Sequence, residues 1–160
     1  MARTVRRGYL SAMDPKLIKD LVVNRRARHE YDILDRFEAG IALVGTEVKS
    51  LRAGRANLQE AHVRIAHDGA WLHGCHVSPY AQASRNNHEP RRQRRLLLHR
   101  SELTKLRRST RERGMTIVPL RIYLKGSFVK VEIALVKGRK LHDKRQAMKA
   151  RDAKRDMQRR

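Results

Sequence analysis

Between Thr116 and Val136 apolar and polar residues alternate with a period of two, the pattern of strands with one buried face. Thr116–Leu124 and Ser127–Val136 read as two strands joined by the two-residue turn Lys125-Gly126. With that turn Leu124 faces Ser127, and Val118, Leu120 and Ile122 sit opposite Ile133, Val131 and Val129. All six then share one face, which must be core. The other face carries Tyr123 opposite Phe128 and Arg121 opposite Lys130. Upstream, Tyr31, Ile33 and Phe37 alternate with charged residues as a half-buried strand, and Leu34 and Asp35 break the pattern. Ile41–Val44, bracketed by Gly40 and Gly45, reads as a short apolar strand. Val63 and Ile65 alternate with His62 and Arg64 until His67-Asp68-Gly69 turns the chain into a second arm, Ala70–Val77.

Helical signals are fewer. Glu47–Leu51 predicts a short helix closed by Gly54. Ser101 reads as an N-cap, with Glu102 in the first turn and Gly114 past the end. The stretch Pro79–Pro90 is rich in Asn, Ser and Pro and reads as a loop. About six strands with two or three short helices predict a mainly β fold. A small closed antiparallel barrel is the natural way for it to hide its sheet edges. Three segments follow: a flexible basic arm over 1–23, with at most a helical turn at Pro15–Val23, a barrel over 24–138, and a tail over 139–160. The tail lacks Pro and Gly, and Leu141, Met148 and Met157 are its only large apolar residues. A helix polar all round has no core to dock on, so the tail is expected to be disordered alone and helical against an anionic surface.

Charge changes the picture from fold to partner. The 160 residues hold 38 Lys and Arg against 16 Asp and Glu, a net charge of +22. The surplus is patchy: residues 32–90 carry six basic and seven acidic residues, whereas 91–113 carry ten and two, and 137–160 eleven and three. Such blocks flanking a neutral body point to several contacts with one polyanion, and nucleic acid is the default partner. The hairpin face fits that partner, since aromatics stack on bases and cations neutralise phosphate. The same four residues also fit a structural aromatic pair with solvated charges. No apolar run approaches the roughly 18 residues of a membrane span, and the N-terminus has no secretory apolar core, so a cytoplasmic protein is expected.

Catalytic chemistry finds no support. His73 and Cys75 face away from His76 on a strand, so the three do not converge on a metal, and the lone Cys75 reads as a small buried residue. Gly40, Gly45 and Gly54 match neither a phosphate loop nor a dinucleotide fingerprint. No cofactor, metal or catalytic residue is expected.

Four stretches and the basic tail together carry a resemblance. They are NRRARHEYDILDRFEAGIALVGTEVKSLRAGRANL (Asn24–Leu58), WLHGCHVSPY (Trp71–Tyr80), NHEPRRQRRLLLHRSEL (Asn87–Leu103) and VPLRIYLKGSFVKVEIALVKGRKLHDKR (Val118–Arg145). In this order and spacing the chain resembles the small protein B family, the bacterial tmRNA-binding or SsrA-binding proteins. The resemblance implies an oligonucleotide-binding-like barrel of six antiparallel strands. It implies binding to the tRNA-like domain of tmRNA and delivery of that RNA to stalled ribosomes, with no catalysis by the protein itself. Implied partners are tmRNA, small-subunit RNA near the decoding centre and message channel, and, through the shared tmRNA, the tRNA-delivering elongation factor. A monomer is expected.

Residue by residue, the resemblance marks Asn24, Glu38, Leu97 and Lys130 as RNA contacts, and Arg25, Arg26, Lys49 and Arg52 lie in the same matched stretches. Glu38 then either accepts from a guanine edge, orients an arginine, or forms an ion pair that supports the fold. Leu97 either packs on a nucleotide or belongs to the core. Gly138, His142, Asp143, Lys144 and Arg145 are the implied ribosome-contacting part of the tail, which enters the empty message channel. A structural ribosomal protein or a general RNA chaperone fits the composition equally well; the motif series separates them.

Overall fold

The alternating hairpin is the spine of the fold. The computed structural model describes residues 17–83, 85–112, 114–139 and 141–158. Strands β8 (Met115–Lys125) and β9 (Phe128–Gly138) pair antiparallel along their length. Their turn lies one residue later than the alternation predicts. Lys125 pairs with Phe128 around Gly126-Ser127, and Gly126 takes a φ of 62°, which favours glycine. Tyr123 therefore faces Lys130 rather than Phe128, and Arg121 faces Glu132 rather than Lys130.

Further along, the ladder slips between Pro119 and Arg121. Proline has no N–H for the ladder, and bulges gather at such points. The extra residue, Leu120, turns the side chains before it to the opposite face. Val118 and Leu120 thus leave the face of Ile122, Val131 and Ile133, and the six residues do not share one core face. Val118 and Leu120 pack with Ala27, Ala134 and Val136 in a second, smaller cluster.

Strand β2 (Tyr31–Ile41) lies on the other edge of β9 and has its own slip between Ile33 and Asp35. Leu34, the extra residue, is 52% exposed. The broken alternation at Leu34-Asp35 is this bulge. Tyr31 and Ile33 consequently pack on the second cluster, while Phe37 and Ala39 enter the main core. The apolar run beginning at Ile41 is not a strand of its own: Gly40 and Ile41 end β2 and pair with β7 (Arg94–Leu97).

Strands β4 (His62–Ala66) and β5 (Gly69–His73) form a hairpin across His67-Asp68, but the second arm stops at His73 instead of reaching Val77, because the chain turns at Gly74, whose φ is 71°. Strand β1 (Ile18–Val23) pairs with β8 over Arg121–Lys125, so the end of the segment read as a flexible arm is a strand. Residues 1–16 of that arm lie outside the described residues. The large sheet runs β1-β8-β4-β5-β7-β2-β9, and β8 also pairs with β9. A small second sheet joins β3 (Ala56–Asn57) to β6 (His76–Val77). The protein is thus mainly β, with a few helices.

Helix α1 (Ala27–Glu30) covers the second cluster through Ala27. Helix α2 (Gly45–Arg52) starts where the Glu47 carboxylate accepts the Val44 N–H at 3.1 Å. Helix α3 (Arg100–Ser109) starts one residue before the expected cap: Glu102 reaches back to the His99 N–H at 3.0 Å, so His99 and not Ser101 precedes the first turn. Helix α4 (Leu141–Gln158) follows β9 directly. The main core includes Leu51, Leu72, Leu106, Ile117, Ile122 and Ile133, all fully buried. Cys75 lies among them, and burial pushes its thiol up to about 11.

Candidate nucleic-acid interface

Cross-strand register assembles the site. Leu97 of β7 lies beside Gly40 of β2, Gly40 beside Lys130 of β9, and Lys130 beside Tyr123 of β8. One row across four strands therefore gathers residues far apart in sequence. Gly40 is needed there: a Cβ at that position would stand 3.2 Å from the Leu97 Cβ. Its bare backbone lets Leu97 lean over the strand, where the leucine stays 58% exposed rather than entering the core. The next row on the same face holds Glu38, Glu132 and Arg121. Lys125 and Phe128 sit opposite one another beside the turn, and Phe128 is 70% exposed.

The face is wired internally. Tyr123 is only 3% exposed, so its ring offers no open surface for a base. Its hydroxyl donates to Glu38, whose other oxygen accepts from Lys125 Nζ at 3.0 Å. Burial raises the Glu38 pKa, but the Tyr123 hydroxyl and Lys125 outweigh it and leave the carboxyl below its usual range. Burial, and then the bond to the Glu38 carboxylate, drive the Tyr123 phenol upward. Arg121 lies over the Tyr123 ring at 4.6 Å and donates to Glu132 at 2.6 Å and Asp20 at 2.7 Å. Of the four hairpin residues read as one aromatic and cationic surface, Phe128 and Lys130 face outward unencumbered by ion pairs among the described residues, whereas Tyr123 and Arg121 are held by their neighbours.

Asn24 is not at the surface. It is 4% exposed, and its amide donates to Leu58 O at 3.2 Å and Pro119 O at 3.0 Å. Its side-chain oxygen accepts the Ala27 N–H at 3.2 Å, opening α1. These three bonds tie α1 to the strand beside the bulge at Leu120. Arg25 and Arg26 follow it on the surface, Arg26 paired with Glu30 at 2.6 Å.

Lys49 and Arg52 are exposed on α2, away from that row. The Lys49 ammonium rests on the Tyr80 ring at 5.3 Å, beside a groove of about 670 Å³ that also holds Thr46, Asn87 and His88. Beneath it lies a network that the charge count conceals. Arg94 and Glu47 are both fully buried and paired at 2.8 Å, and Arg92 adds two bonds of 2.7 Å to the same carboxylate. Arg94 also donates to the carbonyls of Cys75, Pro90 and Arg92. Arg94 is therefore a core residue, not part of a basic surface block. The parity of β7 was the available signal, because Arg94 shares a face with the buried Leu96.

Gly138 ends β9 opposite Tyr31, and Arg139 pairs with Asp32 at 2.7 Å. Beyond it the tail, for which composition predicts coil in isolation, is the helix α4. Ala147, Met148, Arg151 and Arg155 of this helix border a groove with His29, Glu30 and Arg139, and Arg151 meets the His29 ring. Arg145 is exposed. The side chains of His142, Asp143 and Lys144 lie outside the described residues.

Residues 21–160 match the family described as SmpB protein. The chain is 51% identical over 140 residues to the SsrA-binding protein of Carboxydothermus hydrogenoformans, covering 88% of this chain and 94% of the relative. It is 55% identical over 141 residues to the SsrA-binding protein of Parafrankia sp. strain EAN1pec, covering 88% and 89%. A solved chain described under "tmRNA-SmpB: a journey to the center of the bacterial ribosome" superposes with a TM-score of 0.65 at 44% identity, covering 77% of this chain and 87% of that one.

Proposed function

The chain belongs to the SmpB protein family, and from that premise we propose that it binds the tRNA-like domain of tmRNA and delivers that RNA to stalled ribosomes. What carries the reading beyond family membership is the outer row Leu97, Gly40, Lys130 with Phe128 beside it. An exposed apolar residue, an exposed ring and a cation on a rigid sheet suit an RNA whose unpaired bases can be splayed onto protein. Lys130, Phe128 and Leu97 make contact with RNA. Glu38, Tyr123 and Arg121 hold the surface in shape, and Asn24 fixes α1. Arg25, Arg26, Lys49 and Arg52 add phosphate contacts at its margins.

The sheet is an oligonucleotide-binding-like barrel in this reading. The pairing of β8 with β9 supports closure, because it joins strands from the two ends of the β8-to-β9 series. The tail, with Gly138, His142, Asp143, Lys144 and Arg145, orders along the empty message channel of the small subunit. The elongation factor that delivers tRNA joins through the shared tmRNA. The protein acts as a cytoplasmic monomer and carries no catalytic step; among the described residues no helix is long and apolar enough to cross a membrane.

Sequencing of RNA that co-purifies with the tagged chain tests this. Enrichment of tmRNA, at less than one copy of protein per ribosome, is expected. Stoichiometric ribosomal RNA with no tmRNA would refute it and make the chain a structural ribosomal protein.

A further inference from the structure

The outer surface continues past Leu97 onto strands that none of the assigned contacts use. Arg64 of β4 lies beside Trp71 of β5, and Trp71 beside Arg95 of β7. Neighbouring strands stand about 4.8 Å apart, so the backbones of the two arginines run at about that distance on either side of that of Trp71. Arg64 and Arg95 are exposed and Trp71 is half-buried in the sheet surface. Among the described residues no ion pair engages Arg64 or Arg95. The indole is held rather than loose: its Nε1 donates to Asp68 Oδ1 at 3.0 Å, and Arg95 Nη2 donates to the Asp68 carbonyl at 2.9 Å. The cations that sit on aromatic rings among the described residues cover Tyr80, Phe37 and Tyr123, and none covers Trp71. In the adjoining row His62 and His73 stack with ring centres 5.4 Å apart.

A fixed, half-buried aromatic ring between two exposed arginines that make no ion pair among the described residues is suited to take an unstacked base with its neighbouring phosphates. An apolar partner surface would instead meet two cations that need charge to balance them. Arg95 is two residues from Leu97 on the same face of β7, so the row adjoins the surface already assigned to RNA. We propose that Arg64, Trp71 and Arg95 form a second base-stacking subsite, which takes an unpaired nucleotide of the same tRNA-like domain. This rests on the reading of the chain as a tmRNA-binding protein. Arg64 and Arg95 hold phosphate, Trp71 stacks, and Asp68 sets the indole orientation.

Trp71 is the sole tryptophan of the chain, so its emission reports on this row alone. The full chain is titrated with fluorescently end-labelled tRNA-like domain RNA. Anisotropy of the label follows binding, while indole emission and its quenching by iodide follow the subsite. Quenched emission and loss of iodide access, saturating together with anisotropy, are expected. Saturating anisotropy with unchanged emission and unchanged iodide access overturns the subsite, leaves tmRNA binding intact, and returns the row to solvent or to a protein partner. No rise in anisotropy at all overturns both readings. Substitution adds a second measure that the wild-type emission does not depend on. Trp71→Leu should weaken binding about tenfold with little change in Tm, and Trp71→Phe should restore most of it. Arg64→Gln and Arg95→Gln should each flatten the log–log salt slope by nearly one unit. Full affinity and slope in all four variants would sink the proposal.

Discussion

Glu38 offers the sharpest test of how this surface works. An acid on the face proposed to meet RNA either reads a base edge or holds its neighbours. The geometry favours the second role, since both oxygens are already engaged, one by Tyr123 and one by Lys125. Removing the carboxylate in Glu38→Ala orphans a phenol that is 3% exposed, at a cost of about 1–3 kcal/mol. The bridge to Lys125 adds less than about 1 kcal/mol, because both side chains are 37% exposed and screened by water. Some 2 kcal/mol in total should lower the Tm of a chain this size by about 4–8 °C. Glu38→Gln keeps an acceptor but loses its charge, and should cost about half as much. A double-mutant cycle with Tyr123→Phe then decides. Denaturant titration should give a coupling of about 1–2 kcal/mol between the two positions. In RNA binding followed by anisotropy, Glu38→Gln should weaken affinity in the wild-type background and add almost nothing once Tyr123 is phenylalanine. Full additivity in affinity with no coupling in stability would show that Glu38 touches RNA itself.

Other consequences follow the same logic. Asn24→Ala removes three bonds made by a buried side chain and should cost about 2–3 kcal/mol by denaturation, with affinity unchanged once the folded fraction is accounted for. Glu47→Gln leaves Arg94 buried without its counter-charge and should cost about 3–5 kcal/mol. The same carboxylate sets an acid limit: burial raises its pKa, but Arg92, the Val44 N–H and Arg94 outweigh that and hold it below its ordinary 4.5. Its contribution is therefore fully present above pH 4.5 and is lost as pH falls through the lower native value, so the wild-type Tm should be flat near neutrality and fall in acid. Replacing Asp143, Lys144 and Arg145 together by alanine should leave the fold and most tmRNA affinity intact and abolish tagging by reconstituted ribosomes; normal tagging would refute the role given to the tail.

Period-two alternation was enough to find the hairpin β8–β9 and the turn at His67-Asp68, because each half-buried strand must hide one face. It was not enough to say which residues share a face. That depends on bulges, and a bulge adds one residue without changing composition. At Leu34 the sequence carried a trace of it, a leucine out of phase that proves to be exposed. At Leu120 the trace was Pro119, which cannot donate to the ladder, but Val118, Pro119, Leu120 and Ile122 are all apolar, so either phase buries them. The turn was misplaced for a related reason, since moving the register by two residues preserves every inside and outside assignment. That same shift decides which side chains share the outer row, because it sets Tyr123 against Lys130 instead of Phe128. The charge count erred in the other direction. It treats every arginine as solvated, and a buried Arg94 neutralised by Glu47 contributes nothing to the outer field. The total of +22 already counts Glu47 and stands; what shrinks is the 91–113 block, and the surface proposed to meet RNA is set by where the remaining charges sit. That surface is a few cations with the exposed Phe128 and Leu97, on rows whose membership is set by two slipped ladders, at Leu34 and Leu120.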